Sequence, residues 1–187
     1  MDNLNKKLNT HLFIKFVLLV AVYACASNNK KQDPIASDPI QSELLIIDKT
    51  GNERMKKLVA ASNCVINKKS FQDEFKAGKN FTDTNDNGEV ILNKALKSGQ
   101  GFVNFYTQNW IAWKFTPVNG YVNKGSDQIF INTRQLWRDN KSIVSTINHE
   151  FIHTLGYYHA SNNPDTQNGS VFKFVEDLTA TNVEGCL

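Results

Sequence analysis

The segment 149–159, HEFIHTLGYYH, constrains the fold of this chain more than any other part of its 187 residues. It overlaps the end of the stretch 142–155, in which an apolar residue recurs at every fourth position and predicts one buried helical face. These apolar residues are Ile143, Ile147, Phe151 and Leu155. The fold must therefore bury that face and at the same time bring the histidine side chains of residues 149–159 close together.

His149 and His153 are four residues apart, so they project side by side from another face of the same helix. Two imidazole nitrogens placed in this way reach one ion at about 2.0–2.1 Å. Glu150 follows His149 by one residue, so it points beside the ion and is placed to hold a water. Gly156 is expected to end the helix in a left-handed turn, after which the reversed chain brings His159 back as a third ligand.

Three protein ligands leave one position of a tetrahedral zinc ion open. Catalytic zinc sites have such a position, whereas structural sites are usually closed by a fourth cysteine or histidine. Zinc lowers the pKa of a bound water from its bulk value towards about 7, and Glu150 is placed to take the water's proton. Of the four histidines only His11 lies elsewhere. The alternative, three ordinary helix or surface histidines without a metal, stays open at this point.

With the spacing H-E-x-x-H-x-x-G-x-x-H, residues 149–159 resemble the signature of the metzincin-type zinc metallopeptidases and of small bacterial zincin-like proteins. The resemblance is specific over these residues and diffuse over 80–187. It implies a zinc metallopeptidase, an endopeptidase with one catalytic Zn²⁺, that acts on peptide or protein substrates. It also implies a twisted sheet above the active-site helix and a peptide bound along an edge strand, which we expect at 128–132.

Metzincins carry a methionine-containing turn beneath the zinc, and this chain departs from that pattern. Its only methionines, Met1 and Met55, lie upstream of the motif. We therefore expect a zincin-like protein without a Met-turn, in which Val171, Phe172 or Phe174 forms the floor of the site.

The remaining patterns predict a small α+β domain, in which a short twisted mixed sheet packs on the active-site helix with two to four further helices. Ser70 and the pair of Asp86 and Glu89 are expected to begin helices. The predicted helices are 52–61, 70–77, 86–98 and 142–155, the predicted strands are 102–107, 111–115 and 128–132, and 44–47 is a strand or the start of a helix.

The first 24 residues are predicted to be a signal peptide. Lysines precede an apolar run at 16–24, which is about half as long as a membrane-spanning helix. Residues 22–25, VYAC, resemble a bacterial lipobox, in which Cys25 carries the lipid anchor. Cleavage after the A-x-A sequence at 24–26 is the alternative and gives a secreted protein. The predicted organisation is signal peptide 1–24, flexible tether 25–41 and zincin-like domain 42–187.

The predicted domain contains two cysteines, Cys64 and Cys186. In an oxidising compartment an isolated pair favours a disulfide, and two unpaired thiols are the alternative. The net charge of +3 falls almost to zero without the lysines of the signal peptide, and no concentrated basic face is visible. A nucleic-acid partner is therefore not expected.

Residues 83–88 match the first half of a calcium-binding loop, D-x-N-x-N-G. The twelfth position of such a loop requires a bidentate glutamate, and here it is Lys94. Calcium is therefore not expected, and a turn leading into the next helix accounts for these residues equally well.

Five further residues are weaker candidates for roles in the site. Tyr121, Tyr157 and Tyr158 are candidates to stabilise an oxyanion, with packing as the alternative. Glu176 or Asp177 is a candidate to orient a ligand histidine, with a solvated helix face as the alternative.

The predicted function is hydrolysis of peptide bonds, with His149, His153 and His159 on one zinc ion and Glu150 as general base. We expect an exported bacterial monomer that the lipid on Cys25 anchors to the periplasmic or surface side of the cell envelope. The alternative is a non-catalytic zinc-binding surface lipoprotein that binds a partner. An intact Glu150 argues against this alternative, because a pure binder has no use for that carboxylate.

Overall fold

Four short strands and six α-helices make up the part of the chain that the computed structural model describes, residues 45–115, 117–160 and 168–187. The strands are β1 (Ile46–Asp48), β2 (Gly101–Tyr106), β3 (Gly120–Val122) and β4 (Gln128–Asn132). The helices are α1 (Glu53–Asn67), α2 (Lys69–Ala77), α3 (Gly88–Ser98), α4 (Trp110–Phe115), α5 (Asn140–Thr154) and α6 (Val171–Asn182). All belong to one compact unit, Ser42–Leu187, and they confirm the predicted α+β class.

The sheet is mixed, as predicted, with the strand order β1-β2-β4-β3. β1 pairs with β2, and β2 with β4, in parallel, whereas β3 runs antiparallel to β4. The expectation that 128–132 lies at the sheet edge is therefore wrong, because β3 covers that side of β4. β3 has only three residues and begins with a glycine. It is too short to show the alternation of apolar and polar residues that would predict a strand.

The predicted strand 111–115 is also wrong, because the segment forms the helix α4. Aromatic and β-branched residues favour strands where they pack against a sheet, and no residue of α4 is buried. The side-chain oxygen of Asn109 accepts a hydrogen bond from the Ile111 N–H at 2.9 Å and so favours the helical start. As a result five helices accompany α5 among the described residues, instead of the two to four that we expected.

Two helices begin with different residues from those predicted. Asn87, not Asp86, is the N-cap of α3, because its side-chain oxygen accepts a backbone N–H of the first turn at 3.0 Å. α2 begins one residue before Ser70. The hydroxyl of Ser70 donates a hydrogen bond to the side chain of Asn182 at 2.6 Å and thus ties α2 to α6.

α5 lies at the centre of the domain and packs against α1, α6 and the strands β3 and β4. The stripe predicted for this helix is buried, at 5 % exposure or less for each residue. Its members are Ile143, Ile147, Phe151 and Leu155. Because neighbours hold α5 on several sides, the side chains that project from its remaining face have defined positions.

A disulfide joins Cys64 in α1 to Cys186, which lies just beyond α6. Lys68 supports the same junction, because its ammonium donates a hydrogen bond to the Asn182 carbonyl at 2.8 Å. The bridge connects residues 122 positions apart in the chain. By chain entropy, closing a loop of this length contributes about 4–5 kcal/mol to the free energy of unfolding.

The signal peptide, the lipobox with Cys25 and the tether predicted for residues 1–41 lie outside the described residues. Among the helices of the described ranges, none combines the length and the apolar character needed to cross a bilayer.

Candidate metal centre

The turn after α5 brings the three predicted ligands together. His149 and His153 project from successive turns of the helix. Gly156 follows with a φ of +90°, a conformation that favours glycine, and its N–H donates a hydrogen bond to the His153 carbonyl at 3.0 Å. The chain reverses at this glycine and returns His159 to the other two histidines.

The spacing of the histidine nitrogens fits a metal ion. One nitrogen from each of His149, His153 and His159 lies within 4.8 Å of the other two. The Nε2 atoms of His149 and His159 are 3.2 Å apart. Two ligands of a tetrahedral zinc ion with bonds of about 2.0–2.1 Å are separated by about 3.3 Å. The donor set and its spacing therefore suit one zinc ion held by three neutral imidazoles.

Two of the histidines are oriented by acceptors on their other ring nitrogen. Nδ1 of His149 lies 2.8 Å from the Oε1 carboxylate oxygen of Glu176, and Nδ1 of His153 donates to the Tyr157 carbonyl at 2.8 Å. Each contact leaves Nε2 free for a metal. Burial lowers the pKa of His153 to about 4, so the ring is neutral near pH 7. Asp177 was the other residue considered to orient a ligand histidine. It forms an ion pair with Lys173 of the same helix instead.

Phe172 forms the floor beneath the three histidines. Its ring centre lies 5.0 Å from that of His149, 4.2 Å from that of His153 and 4.1 Å from that of His159. The side chain is buried, with 1 % of its surface exposed. Of the three residues considered for the floor, Phe172 is thus the one in contact with every ring, whereas Phe174 packs on other phenylalanines.

Glu150 is buried beside these ligands, with 6 % of its surface exposed. Burial raises the pKa of its carboxyl to about 7, although the charge of His149 opposes this shift. Its side chain lies against Gly120 at the start of β3, where an added Cβ would stand 3.2 Å from the carboxylate Oε1. Gly120 therefore leaves room for the carboxylate, a role that its position in the sequence does not signal.

No protein-family model, curated protein or solved structure matches this chain. The family resemblance of residues 149–159 therefore stays a prediction. The chemistry of the site is inferred from the residues that form it.

The three tyrosines considered for oxyanion stabilisation are engaged in other contacts. The Tyr157 hydroxyl donates a hydrogen bond to the Asp86 carboxylate at 2.7 Å. The Tyr158 hydroxyl accepts one from the Gly125 N–H at 2.8 Å. Tyr121 packs between two other aromatic rings. The Tyr158 ring stacks on that of His153, with the ring centres 5.7 Å apart, and its hydroxyl keeps a proton to donate.

Tyr106, which was not predicted, is a fourth tyrosine near the site. It ends β2, and its hydroxyl donates a hydrogen bond to the Val118 carbonyl at 3.3 Å. Burial raises the pKa of Tyr106, and the neighbouring Tyr121 and Glu150 raise it further. Because β2 and β4 are parallel, their carboxyl ends meet at one edge of the sheet. Tyr106 lies at this edge, opposite Asn132 of β4. The sequence alone does not show which strands are neighbours, so it does not predict this position.

Three polar side chains of the segment 83–88, which resembles half of a calcium loop, make hydrogen bonds to other groups of the protein. Asp83 accepts a hydrogen bond from the Val171 N–H at 3.0 Å. Asp86 accepts from the Tyr157 hydroxyl, and Asn87 caps α3. The segment therefore links α3, the turn after α5 and the start of α6.

Proposed function

We propose that this protein is a zinc-dependent peptidase. The observation that carries the proposal is the convergence of three imidazole nitrogens beside a buried carboxylate. His149, His153 and His159 would hold the metal, and Glu150 would act as general base. When bound, zinc supplies a Lewis acid that polarises a substrate carbonyl and makes water more acidic.

Glu150 moves the proton in this proposal. Its carboxylate takes a proton from the attacking water and passes it to the leaving amine as the peptide bond breaks. Glu176 and the Tyr157 carbonyl keep the rings of His149 and His153 turned so that Nε2 faces the metal. Phe172 supports the rings from below and excludes water from that side.

The alternative is a zinc-binding protein without hydrolytic activity. It is favoured by one observation, namely that the Tyr157 hydroxyl donates its proton to Asp86 and is therefore not available to stabilise an oxyanion. Tyr158 answers this objection, because its hydroxyl accepts the Gly125 N–H and keeps its own proton to donate, and its ring stacks on that of His153 with the ring centres 5.7 Å apart.

We also propose that the protein is exported from a bacterial cell and anchored to the envelope by a lipid on Cys25. Support for this proposal comes from the lysines, the apolar run and the VYAC sequence of residues 1–25 alone. Release as a secreted protein is the alternative. In either case the substrate would be a peptide or protein outside the cytoplasm.

The test compares zinc content and cleavage of a broad peptide library for wild type, Glu150→Gln and Glu53→Gln. Glu53→Gln is the matched control, because Glu53 is exposed in the first turn of α1. We expect all three proteins to bind one zinc ion. Cleavage by Glu150→Gln should fall at least about 100-fold, because general base catalysis is lost, whereas Glu53→Gln should cleave like wild type.

Two outcomes would overturn the proposal. If wild type binds zinc and cleaves no peptide in the library, the non-catalytic alternative is the better description. If Glu150→Gln cleaves at the wild-type rate, Glu150 is not the general base.

A further inference from the structure

The exposed apolar side chains of this domain are concentrated in two segments. Among the described residues seven large apolar side chains are exposed, and five of them lie at positions 110–118 and 137. Scattered exposed apolar residues are normal, whereas a concentration of them indicates an interaction site. We call these five residues the apolar surface: Trp110, Ile111, Phe115, Val118 and Trp137.

Both segments leave the sheet at the same edge. The first follows β2 and the second follows β4, and these strands are parallel neighbours, so their carboxyl ends lie together. The hydroxyls of Thr107 and Thr133 are 2.7 Å apart, and Nε of Arg134 donates a hydrogen bond to the Gln108 carbonyl at 2.7 Å. Each segment reaches its first member of the apolar surface within four residues of these bonds. The apolar surface therefore lies at one edge of the sheet.

The side chains of the apolar surface project from the protein. The exposed fraction is 59 % for Trp110, 74 % for Phe115 and 78 % for Trp137. A side chain that lines a groove is partly covered by the opposite wall, so exposures this high do not indicate a groove. Projecting aromatic rings suit the interface of a membrane, because the apolar part of an indole enters the headgroup region while its N–H meets a polar partner there.

The charge of the two segments has one sign. Residues 107–118 and 133–138 contain three basic residues and no acidic one. Lys114 lies in α4 among the members of the apolar surface, and Arg134 lies three residues before Trp137; both side chains are exposed. Anionic lipids attract basic side chains near the membrane surface. The segments therefore combine the two features that bind a protein to an anionic bilayer, projecting aromatic rings and positive charge.

We propose that the apolar surface binds the interface of a lipid bilayer that contains anionic lipids, with tryptophan rings in the headgroup region. This binding goes beyond the proposed peptidase activity. It requires neither the metal nor a lipid on Cys25. It would hold the domain against the membrane by the edge of the sheet at which β2 and β4 end.

Tryptophan fluorescence tests the inference on the full chain without a label. The three tryptophans are Trp110 and Trp113 of α4 and Trp137, so the emission reports on these two segments. Residues 1–41 contain no tryptophan, so membrane binding through them alone does not bring a tryptophan into the bilayer. The probe is a vesicle of equal parts phosphatidylcholine and phosphatidylglycerol with brominated acyl chains, which quench nearby indoles. We expect these vesicles to quench the wild-type emission, and brominated vesicles of phosphatidylcholine alone to quench it less.

A paired substitution tests the apolar contact. Trp110→Ala with Phe115→Ala should weaken vesicle binding at least about 10-fold, because two large side chains no longer leave water. The matched control is Val90→Ala with Leu187→Ala, which removes two exposed apolar side chains outside the apolar surface. Its vesicle affinity should stay within about twofold of wild type.

A single substitution tests the charge. Lys114→Gln should weaken binding to the anionic vesicles about fivefold, the contribution of one basic side chain near such a surface. Lys97→Gln is the matched control, because Lys97 is exposed in the last turn of α3, which precedes the opposite end of β2. It should bind the vesicles like wild type.

Three outcomes would overturn the inference. The first is vesicle binding by wild type without quenching by the brominated chains, because the tryptophans would then stay in water. The second is equal vesicle affinity of wild type and the variant with Trp110→Ala and Phe115→Ala. The third is a wild type that binds no vesicles and forms a dimer that this variant does not form, because the apolar surface would then contact a second copy of the chain.

None of these measurements uses a metal or a peptide substrate. Failure of the membrane inference therefore leaves the peptidase proposal unaffected, and a protein that cleaves no peptide can still confirm the membrane contact.

Discussion

At the scale of single residues, the candidate ligands depend on atoms that would not touch the metal. The Glu176 carboxylate and the Tyr157 carbonyl each meet one Nδ1 atom at 2.8 Å. Because these contacts fix the ring orientation, each leaves Nε2 of its histidine free for a metal ion. His149 and His153 are therefore preorganised, which lowers the entropic cost of binding.

Replacing Glu176 by glutamine tests this preorganisation. We expect Glu176→Gln to weaken zinc binding about 10-fold or more, because His149 loses its charged acceptor. Asp177→Asn is the matched control, since Asp177 is the next residue and pairs with Lys173 on an exposed part of α6. Zinc dissociation constants from chelator competition provide the measurement. Equal affinities for the two variants would contradict the role of Glu176.

The sequence predicted the histidines that meet at this site better than the side chains that support them. His149, His153 and His159 lie within one short segment whose spacing implies a common ion. Phe172 was one of three candidates for the floor, and Glu176 one of two for the orienting carboxylate. The choice depends on how α6 is rotated about its axis relative to α5, and this rotation is set by packing between helices that are distant in sequence.

At the scale of elements, α2 and α3 meet through a backbone contact that only glycine permits. The Gly88 N–H donates a hydrogen bond to the Gly78 carbonyl at 2.9 Å. A Cβ on Gly88 would stand 1.7 Å from the carbonyl oxygen of Phe75. Backbone cannot move aside as a side chain can, so a larger residue must push the two helices apart.

We expect Gly88→Ala to lower the free energy of unfolding by about 3 kcal/mol, the upper part of the range for overpacking. Gly51→Ala is the comparison: Gly51 has open space around it but a φ of +68°, so backbone strain alone should cost about 1 kcal/mol. Urea unfolding of the two variants and wild type provides the measurement. If both substitutions cost the same, the close approach of α2 and α3 is not a constraint on stability.

Helices and strands were predictable where the periodic segment is long and only one face of it is buried. α5 spans four turns with one apolar stripe, and each member of that stripe is buried. α4 was predicted as a strand because aromatic residues favour sheets, yet none of its residues is buried: Trp110 and Phe115 are exposed and Trp113 is half-buried. β3 was not predicted, since three residues beginning with glycine carry no pattern and take their structure from pairing with β4.

At the scale of the whole molecule, the disulfide connects the first helix of the domain to the segment after the last one. Cys64 lies in α1 and Cys186 beyond α6, and both helices pack against α5. Separating α6 from the rest of the domain would require the bridge to break or the chain to unfold. The bridge thus stabilises the helix that supports the candidate metal centre.

We expect the paired substitution Cys64→Ser and Cys186→Ser to lower the free energy of unfolding by about 4 kcal/mol, through the larger entropy of the unfolded chain. Cys25→Ser leaves the bridge intact and should not change the unfolding energy. Denaturant titrations give both values, and thiol titration of the exported protein should detect no free thiol at Cys64 or Cys186. Free thiols at both positions in the exported protein would contradict this prediction.

The position of α6 in the chain has a consequence for when the metal centre can form. Because a chain is synthesised from its amino end, His149, His153 and His159 emerge before Phe172 and Glu176. Until α6 docks, the histidines lack their floor and one orienting carboxylate. If the proposed zinc site and peptidase activity are correct, metal loading should follow the docking of α6, so that an incomplete chain does not gain hydrolytic capacity.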